Sequence, residues 1–211
     1  MQKEAHMTRS LFLDFRNWLG FMLFMGMSLA ASYAIQSPAN IKWTSTRLVV
    51  SDFKAKTDSS KAVDAMSAVQ ASYLVHRKTD KQIEIVVFCE FIPSLSWIKG
   101  SADSVLLQHE QLHFDIGELV CRKARAKAVK FAKRGDSIDG IETAIGNLLS
   151  GLDSLQDIYD LETHHGQNYE KQNQWNFKVQ NELKQLSNYA LDTITVIPVS
   201  KSSKAIKRNS K

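Results

Sequence analysis

The chain is predicted to be an α+β protein, in which a small antiparallel sheet is followed by one long helix and two further helices. Three observations predict this. β-branched and alternating apolar residues concentrate before residue 92, helical apolar spacing dominates after residue 103, and one short β-branched run closes the chain. Strands that precede helices without alternating with them favour a segregated arrangement. The 211 residues are 44% hydrophobic and 23% charged, which suits one globular domain and excludes a disordered chain.

Residues 1–34 are predicted to be a secretory signal. Basic residues precede an uncharged run over residues 17–41, and small residues at Ser32 and Ala34 follow its apolar centre. A basic start, an apolar core and a small-x-small exit are typical of a signal peptide. A membrane anchor is the alternative, because the uncharged run nearly spans a bilayer. In either case we expect a periplasmic or secreted protein, held at the inner membrane only through an uncleaved N-terminal segment.

The rest of the chain is predicted to form one domain. Residues 35–42 are interpreted as a spacer, residues 43–200 as the domain and residues 201–211 as a basic flexible tail. The net charge of +5 comes from scattered lysines, so we expect no nucleic acid partner.

The β-branched run WTSTRLVVSDF, residues 43–53, predicts a first strand. Residues 66–76 and 83–91 flank a polar turn, and their apolar patterning predicts a β-hairpin. Residues 94–99 are predicted to be a loop, and residues 193–197 a last strand.

Helical patterning predicts a long helix over residues 104–133, capped by Asp103 or Ser101. A second helix is predicted from Ser137 to the low 160s, and a third over residues 169–186.

An H-E-x-x-H motif lies inside the long predicted helix, as His109-Glu110-Gln111-Leu112-His113. The two histidines are one turn apart and therefore project from one face, where both can reach a single Zn²⁺. Glu110 is placed to take a proton from the water that attacks a carbonyl and to pass it to the leaving amine. The motif therefore predicts one zinc ion per chain, with His109 and His113 as ligands and Glu110 as the catalytic base.

A catalytic zinc takes three protein ligands, so a third is expected from the second polar cluster, YDLETHHG at residues 159–166. The apolar stripe of the second predicted helix, continued past Tyr159, brings Glu162 and then His165 to the core. At about 100° per residue they lie about 60° apart, while His164 points outward. Periodicity leaves open whether His165 binds the metal with Glu162 as its hydrogen-bond partner, or whether Glu162 is itself the ligand.

The motif with its surroundings, SWIK at residues 96–99 and LLQHEQLHFDIGEL at residues 106–119, resembles the bacterial domain of unknown function family 922. The resemblance extends over most of residues 43–186. This family is regarded as secreted zinc-dependent proteases of the zincin clan, so the resemblance implies a zincin-like fold and a peptide or protein substrate. By the pattern of the family, the histidine before the glycine is a metal ligand, which favours His165.

Further expectations concern two tyrosines, two cysteines and one strand. Tyr159 or Tyr169 could donate to a transition-state oxyanion. Cys89 and Cys121 could form a disulfide in an oxidising compartment, or remain buried thiols. The strand at residues 83–91 could bind a substrate in extended conformation along its edge. The alternative to a peptidase is a zinc-containing envelope protein that binds a partner without catalytic turnover.

Overall fold

The computed structural model describes residues 39–44, 47–58, 60–100 and 103–198. Within them the protein is a mixed α+β structure with a small antiparallel sheet, as the sequence predicts. The predicted signal segment and the basic tail lie outside the described residues. Within the described ranges, none of the helices combines the length and the apolar character needed to cross a membrane.

Six strands and four α-helices make up the described fold. The strands are β1 (Ile41–Lys42), β2 (Ala65–Met66), β3 (Val69–Thr79), β4 (Gln82–Phe91), β5 (Trp97–Ile98) and β6 (Thr193–Val196). The helices are α1 (Ser104–Arg134), α2 (Ile138–Leu149), α3 (Leu152–Thr163) and α4 (Tyr169–Gln185).

The hairpin of β3 and β4 is the centre of the sheet, and it confirms the predicted hairpin. Val69 pairs with Phe91 at one end and Thr79 with Gln82 at the turn. The alternate residues of β4 are buried, because one face of the sheet is covered by α1. The other helices pack against α1, so that α1 runs through the middle of the molecule.

β4 is hydrogen-bonded along both edges. One edge of β4 pairs with β3. Its other edge pairs with β6 near the start of β4 and with β1 at the end of β4. Between them the N–H of Val87 donates to the carbonyl of Asp192 over 2.9 Å, and Cys89 accepts from the N–H of Trp43 over 3.2 Å. The expectation that this strand offers an edge to an extended peptide is therefore wrong. β3 is the long strand with an unpaired side, since no strand within the described ranges pairs with its other edge; the short strands β1 and β6 likewise pair only with β4.

The predicted strand over residues 43–53 is also wrong. In the described part of residues 39–58, only β1, in the predicted spacer, forms a strand of the sheet. Trp43 adds one hydrogen bond to Cys89, and Val50–Asp52 form a 3-10 turn. The segment leaves the sheet because α1 supplies other partners for it. The indole N–H of Trp43 donates to Asp115 over 2.9 Å, and the N–H of Leu48 donates to Oε1 of Gln111 over 2.7 Å.

The first and last predicted helices are confirmed, with Asp103 as the N-cap of α1. The predicted second helix is two helices, since α2 ends at Leu149 and α3 begins at Leu152. The cap residue Ser150 donates its N–H to Gly146, and Gly151 starts the next helix. The predicted loop at residues 94–99 contains β5, which pairs with β2.

A buried ion network ties the core together behind the sheet. Arg125 is fully buried and binds both carboxylate oxygens of Glu118, at 2.9 and 3.1 Å. It also donates to the carbonyl of Val87 over 2.8 Å and to that of Tyr189 over 2.7 Å. One side chain thereby connects α1 to β4 and to the segment after α4.

Candidate metal centre

The histidines of the motif lie in the buried middle of α1. His109 is 2% exposed and His113 is 8% exposed. α1 packs closely against the sheet at residue 117, because that residue is glycine and has no side chain. A Cβ there would lie 2.6 Å from Sγ of Cys89 and 2.7 Å from Cγ1 of Val69. Because of this close contact, the turns of α1 just before Gly117, including the motif at residues 109–113, are buried.

Asp160 of α3 meets both histidines. Its Oδ1 lies 3.1 Å from Nε2 of His109 and 3.0 Å from Nε2 of His113. The two Nε2 atoms are themselves 3.3 Å apart. Three potential ligand atoms therefore converge on one small volume. His109, His113 and Asp160 form a group that could hold a metal ion.

Two glutamine side chains hold the far sides of the imidazole rings. Oε1 of Gln156 lies 2.6 Å from Nδ1 of His113, and Oε1 of Gln172 lies 3.1 Å from Nδ1 of His109. An amide oxygen only accepts hydrogen bonds, so each Nδ1 carries a proton and donates it. Both Nε2 atoms are consequently directed at Asp160.

Electrostatics confirm that this volume attracts positive charge. Burial opposes a charged imidazolium, yet the Asp160 carboxylate raises the pKa of His113 to about 9. Burial likewise opposes the Asp160 carboxylate, yet His113 and the neighbouring hydrogen bonds hold the pKa of Asp160 well below its usual range. Without an ion, a proton on His113 therefore occupies the position where the three atoms converge.

Glu110 is 3% exposed, and its Oε2 has no hydrogen-bond partner among the described residues. It lies within electrostatic reach of His113 and raises the pKa of that imidazole. A buried carboxylate oxygen without a donor is costly in a protein interior. A bound ligand or a water molecule could supply the missing hydrogen bond.

His165 lies at the edge of the cluster, with half of its side chain exposed. Its Nδ1 is 3.5 Å from Oδ1 of Asp160, and this contact raises the pKa of His165. It is outside the set of donor atoms that lie within 4.8 Å of one another. α3 ends at Thr163, and residues 164, 165 and 166 have φ values of 49°, 52° and 82°. The helical period used to orient His165 therefore does not apply to it.

Gly166 completes this left-handed turn against the ring of His109. A Cβ on Gly166 would lie 3.1 Å from Cβ and Cγ of His109. A larger residue would be strained by the positive φ and would also press on the imidazole. The turn after α3 thus packs against one side of His109.

Glu162 points away from the centre, contrary to the expectation that it faces the core with His165. Residue 162 is exposed, and its Oε2 accepts a 2.9 Å hydrogen bond from the indole N–H of Trp175. Thr163, one residue later, is the buried position instead. His164 is exposed, in agreement with its predicted orientation.

The two tyrosines occupy different positions. Tyr159 is fully buried and stacks on the ring of His109, with the centroids 4.7 Å apart. Its hydroxyl lies 3.0 Å from Oε1 of Gln172 and 3.2 Å from the carbonyl of His109, and burial raises its pKa. These contacts make Tyr159 part of the support for His109. Tyr169 is 65% exposed at the start of α4.

Cys89 and Cys121 are both buried, free thiols. Cys89 of β4 and Cys121 of α1 form a hydrogen bond with each other. Burial is the larger cause that raises the pKa of Cys89, and this hydrogen bond is the second. Of the two alternatives that the sequence left open, a disulfide or buried thiols, the structure shows the buried thiols.

The sequence analysis missed Asp160, Gln156 and Gln172. The two residues in α3 carried a signal, because residues 156, 160 and 163 recur at helical spacing, whereas nothing in the sequence pointed to Gln172. An apolar stripe could not detect them, since the face that meets the histidines is polar.

Comparisons of the chain with protein-family models, with curated proteins and with solved structures find no match.

Proposed function

We propose that this protein is a zinc-dependent hydrolase of peptide or amide bonds. His109, His113 and Asp160 hold the ion, and Glu110 is the catalytic base. The observation that carries the proposal is the convergence of three ligand atoms within electrostatic reach of Glu110, whose buried Oε2 has no hydrogen-bond partner among the described residues. Asp160 thereby takes the part that the sequence analysis gave to His165 or Glu162.

The spacing of the three donor atoms fits zinc. Donors bound to one tetrahedral Zn²⁺ at about 2.0–2.1 Å lie about 3.3 Å from one another. The measured separations are 3.3, 3.1 and 3.0 Å. Two imidazoles and one carboxylate are also a ligand set that zinc accepts, and three protein ligands leave a position open.

When bound there, zinc would lower the pKa of a water molecule and polarise a substrate carbonyl. Glu110 takes the proton of the attacking water on its free oxygen and returns it to the leaving nitrogen. A buried carboxylate suits this transfer, because little bulk water competes for its oxygen. We place the approach of the substrate beside the turn after α3, where the side chain of His165 is 51% exposed and that of Asp160 is 18% exposed.

The unpaired edge of β3 is the place we propose for the substrate backbone. Two residues before this strand, the hydroxyl of Ser67 lies 3.4 Å from the carbonyl of Glu110, so β3 starts beside the motif. An extended peptide could add to this edge through main-chain hydrogen bonds. Peptides N-methylated at every second residue should then bind and react more weakly than unmodified ones, whereas unchanged kinetics would exclude this mode.

The decisive experiment compares three purified chains for metal content and for hydrolysis of a mixed peptide library. Wild type should contain one zinc per chain and cleave peptides. Glu110→Gln should retain the zinc and lose at least about 100-fold in kcat, in line with general-base contributions. Glu162→Gln is the matched control, since it removes a carboxylate that contacts Trp175 and should change neither quantity. Equal activity of wild type and Glu110→Gln would refute the assignment of the base.

A zinc-binding module without turnover is the second candidate. The position of His165 favours it, because a small movement could bring that ring in as a fourth ligand and close the site. Cobalt(II) substitution separates the two candidates. An open site changes its visible spectrum when azide is added, whereas a closed site responds only in a His165→Ala variant.

The resemblance to the domain of unknown function family 922 and export across a membrane belong to the same proposal. N-terminal sequencing of the protein recovered from the periplasm or medium would test export. A mature chain that starts near residue 35 would support a cleaved signal, whereas an intact cytoplasmic chain would contradict it.

A further inference from the structure

The glutamines beside the metal centre form a second layer around both imidazoles. Ligand histidines commonly donate their second ring nitrogen to a carboxylate, a carbonyl or water. Here both partners are uncharged side-chain amides, Gln156 and Gln172, which are 7% and 2% exposed.

We propose that Gln156 and Gln172 are positioning residues that fix both imidazoles with the proton on Nδ1 and present both Nε2 atoms to the ion. The inference rests on the metal site of the proposed function, but it does not require that the site be catalytic.

The orientation of Gln156 is set by its own second hydrogen bond. Its Nε2 donates to the backbone carbonyl of His113 over 3.0 Å, so its Oε1 must face the ring of the same residue. One amide therefore holds both the backbone and the ring of His113. The ring cannot rotate about its χ2 bond without losing a 2.6 Å hydrogen bond in a buried site.

Gln172 is held in the same way from α4. Its Nε2 donates to Oδ1 of Asn176 over 3.3 Å, which directs its Oε1 toward His109 and the hydroxyl of Tyr159. The ring of Tyr159 stacks on the ring of His109 and limits its tilting out of the plane that the hydrogen bond to Gln172 sets. Two different helices thus set the two ligand rings.

The neutral charge of these amides has a chemical consequence. A carboxylate partner makes a ligand imidazole more basic and places more negative charge on the ion, whereas an amide holds the ring without adding charge. Asp160 is then the one anionic member of the three-residue group, and the bound ion retains more of its positive charge for polarising a substrate.

The experiment measures zinc affinity by competition with a chelator of known affinity. Gln156→Leu removes the acceptor and should weaken zinc binding about 10- to 100-fold. Gln156→Glu restores an acceptor and should bind zinc at least as tightly as wild type. Gln111→Leu is the matched control, because Gln111 is a buried glutamine of α1 that contacts Leu48 and Asp115 and neither imidazole. It should leave zinc affinity within about 3-fold of wild type.

Long-range ¹H–¹⁵N spectra of the zinc-loaded wild type test the tautomer without any substitution. Both rings should carry their proton on Nδ1. A proton on Nε2 of either ring, or equal zinc affinity in Gln156→Leu and wild type, would overturn the inference. Zinc affinity that follows the expected order in a protein that hydrolyses nothing would refute the hydrolase and leave this inference intact. A wild type that binds no zinc would overturn both.

Discussion

Zinc binding should displace a proton from His113, and this prediction tests the electrostatics of the site directly. Without zinc, the Asp160 carboxylate raises the pKa of His113 to about 9 against the opposing effect of burial. The imidazole is therefore charged at pH 7, with its second proton on the Nε2 atom that zinc requires. Binding must release that proton.

The size of the effect follows from the pKa. At two pH units below the pKa, about 1% of His113 is neutral, and removal of the proton costs about 2.7 kcal/mol. The apparent zinc affinity should therefore rise about 50-fold from pH 7 to pH 9. A histidine with the ordinary pKa of about 6.5 would give a rise of less than about 2-fold over the same range.

Isothermal titration calorimetry in two buffers of different protonation enthalpy counts the protons. We expect His113 to release about one proton per zinc at pH 7 and about half a proton at pH 9, in addition to the proton that zinc-bound water would lose. The metal-free Asp160→Asn variant should show a His113 pKa far below 9, whereas Glu162→Gln should leave it unchanged. No proton release at pH 7, or an affinity that does not vary with pH, would refute this account of the site.

The same pKa shift predicts how the metal-free protein responds to pH. The folded-state pKa of His113 lies above the unfolded value, so its pairing with Asp160 stabilises the fold fully below about pH 6.5. That contribution is lost as the pH rises through 9. Chemical denaturation of the metal-free chain should show falling stability over this range, and a flat profile in Asp160→Asn is the control.

Three further predictions concern the fold that carries the site. Gly117→Ala should lower the free energy of unfolding by about 1–3 kcal/mol, because the added Cβ overlaps the sheet. Gly146→Ala, whose added Cβ has its nearest atom at 3.7 Å, should raise the free energy of unfolding by up to about 1 kcal/mol. Urea denaturation measures both, and equal effects would contradict the close packing of α1. Arg125→Leu should cost about 3–5 kcal/mol because it removes the buried cation that binds both carboxylate oxygens of Glu118 and leaves only Arg122 donating to Oε1, and a melting temperature equal to that of wild type would refute this. Cys89 and Cys121 should react with a thiol reagent only after unfolding, because both are buried and the pKa of Cys89 is raised; rapid labelling of the native chain would show that this part of the core opens.

The sequence predicted the parts of the fold that depend on local pattern. The alternating residues of β4 and the capped start of α1 were correctly read because side-chain period and capping chemistry are local properties. The strand predicted over residues 43–53 failed because its composition says only that it can be extended. Whether it pairs with a sheet depends on partners elsewhere, and here Gln111 and Asp115 of α1 bind it.

The same division applies to the site. The sequence alone points to His109, Glu110 and His113, because the two ligands and the base of the proposed site lie within about one helix turn and form a local motif. The contact from α3 was misplaced because the period of the apolar residues was continued past Tyr159 to Glu162 and His165. After Leu152, the buried positions of α3 are Gln156, Tyr159 and Thr163, and this face is polar because it meets two imidazoles.

By itself, then, the sequence determined the helix that carries the two imidazoles and the carboxylate between them, since these residues are joined by one turn of hydrogen-bonded backbone. Only the tertiary structure decided that Asp160 completes the group and that Glu162 faces Trp175. Asp160 is 47 residues from His113 along the chain, and its approach depends on how α3 packs against α1. A helix break at Ser150 and a left-handed turn after Thr163 control that packing, and neither contributes to the apolar period of the sequence.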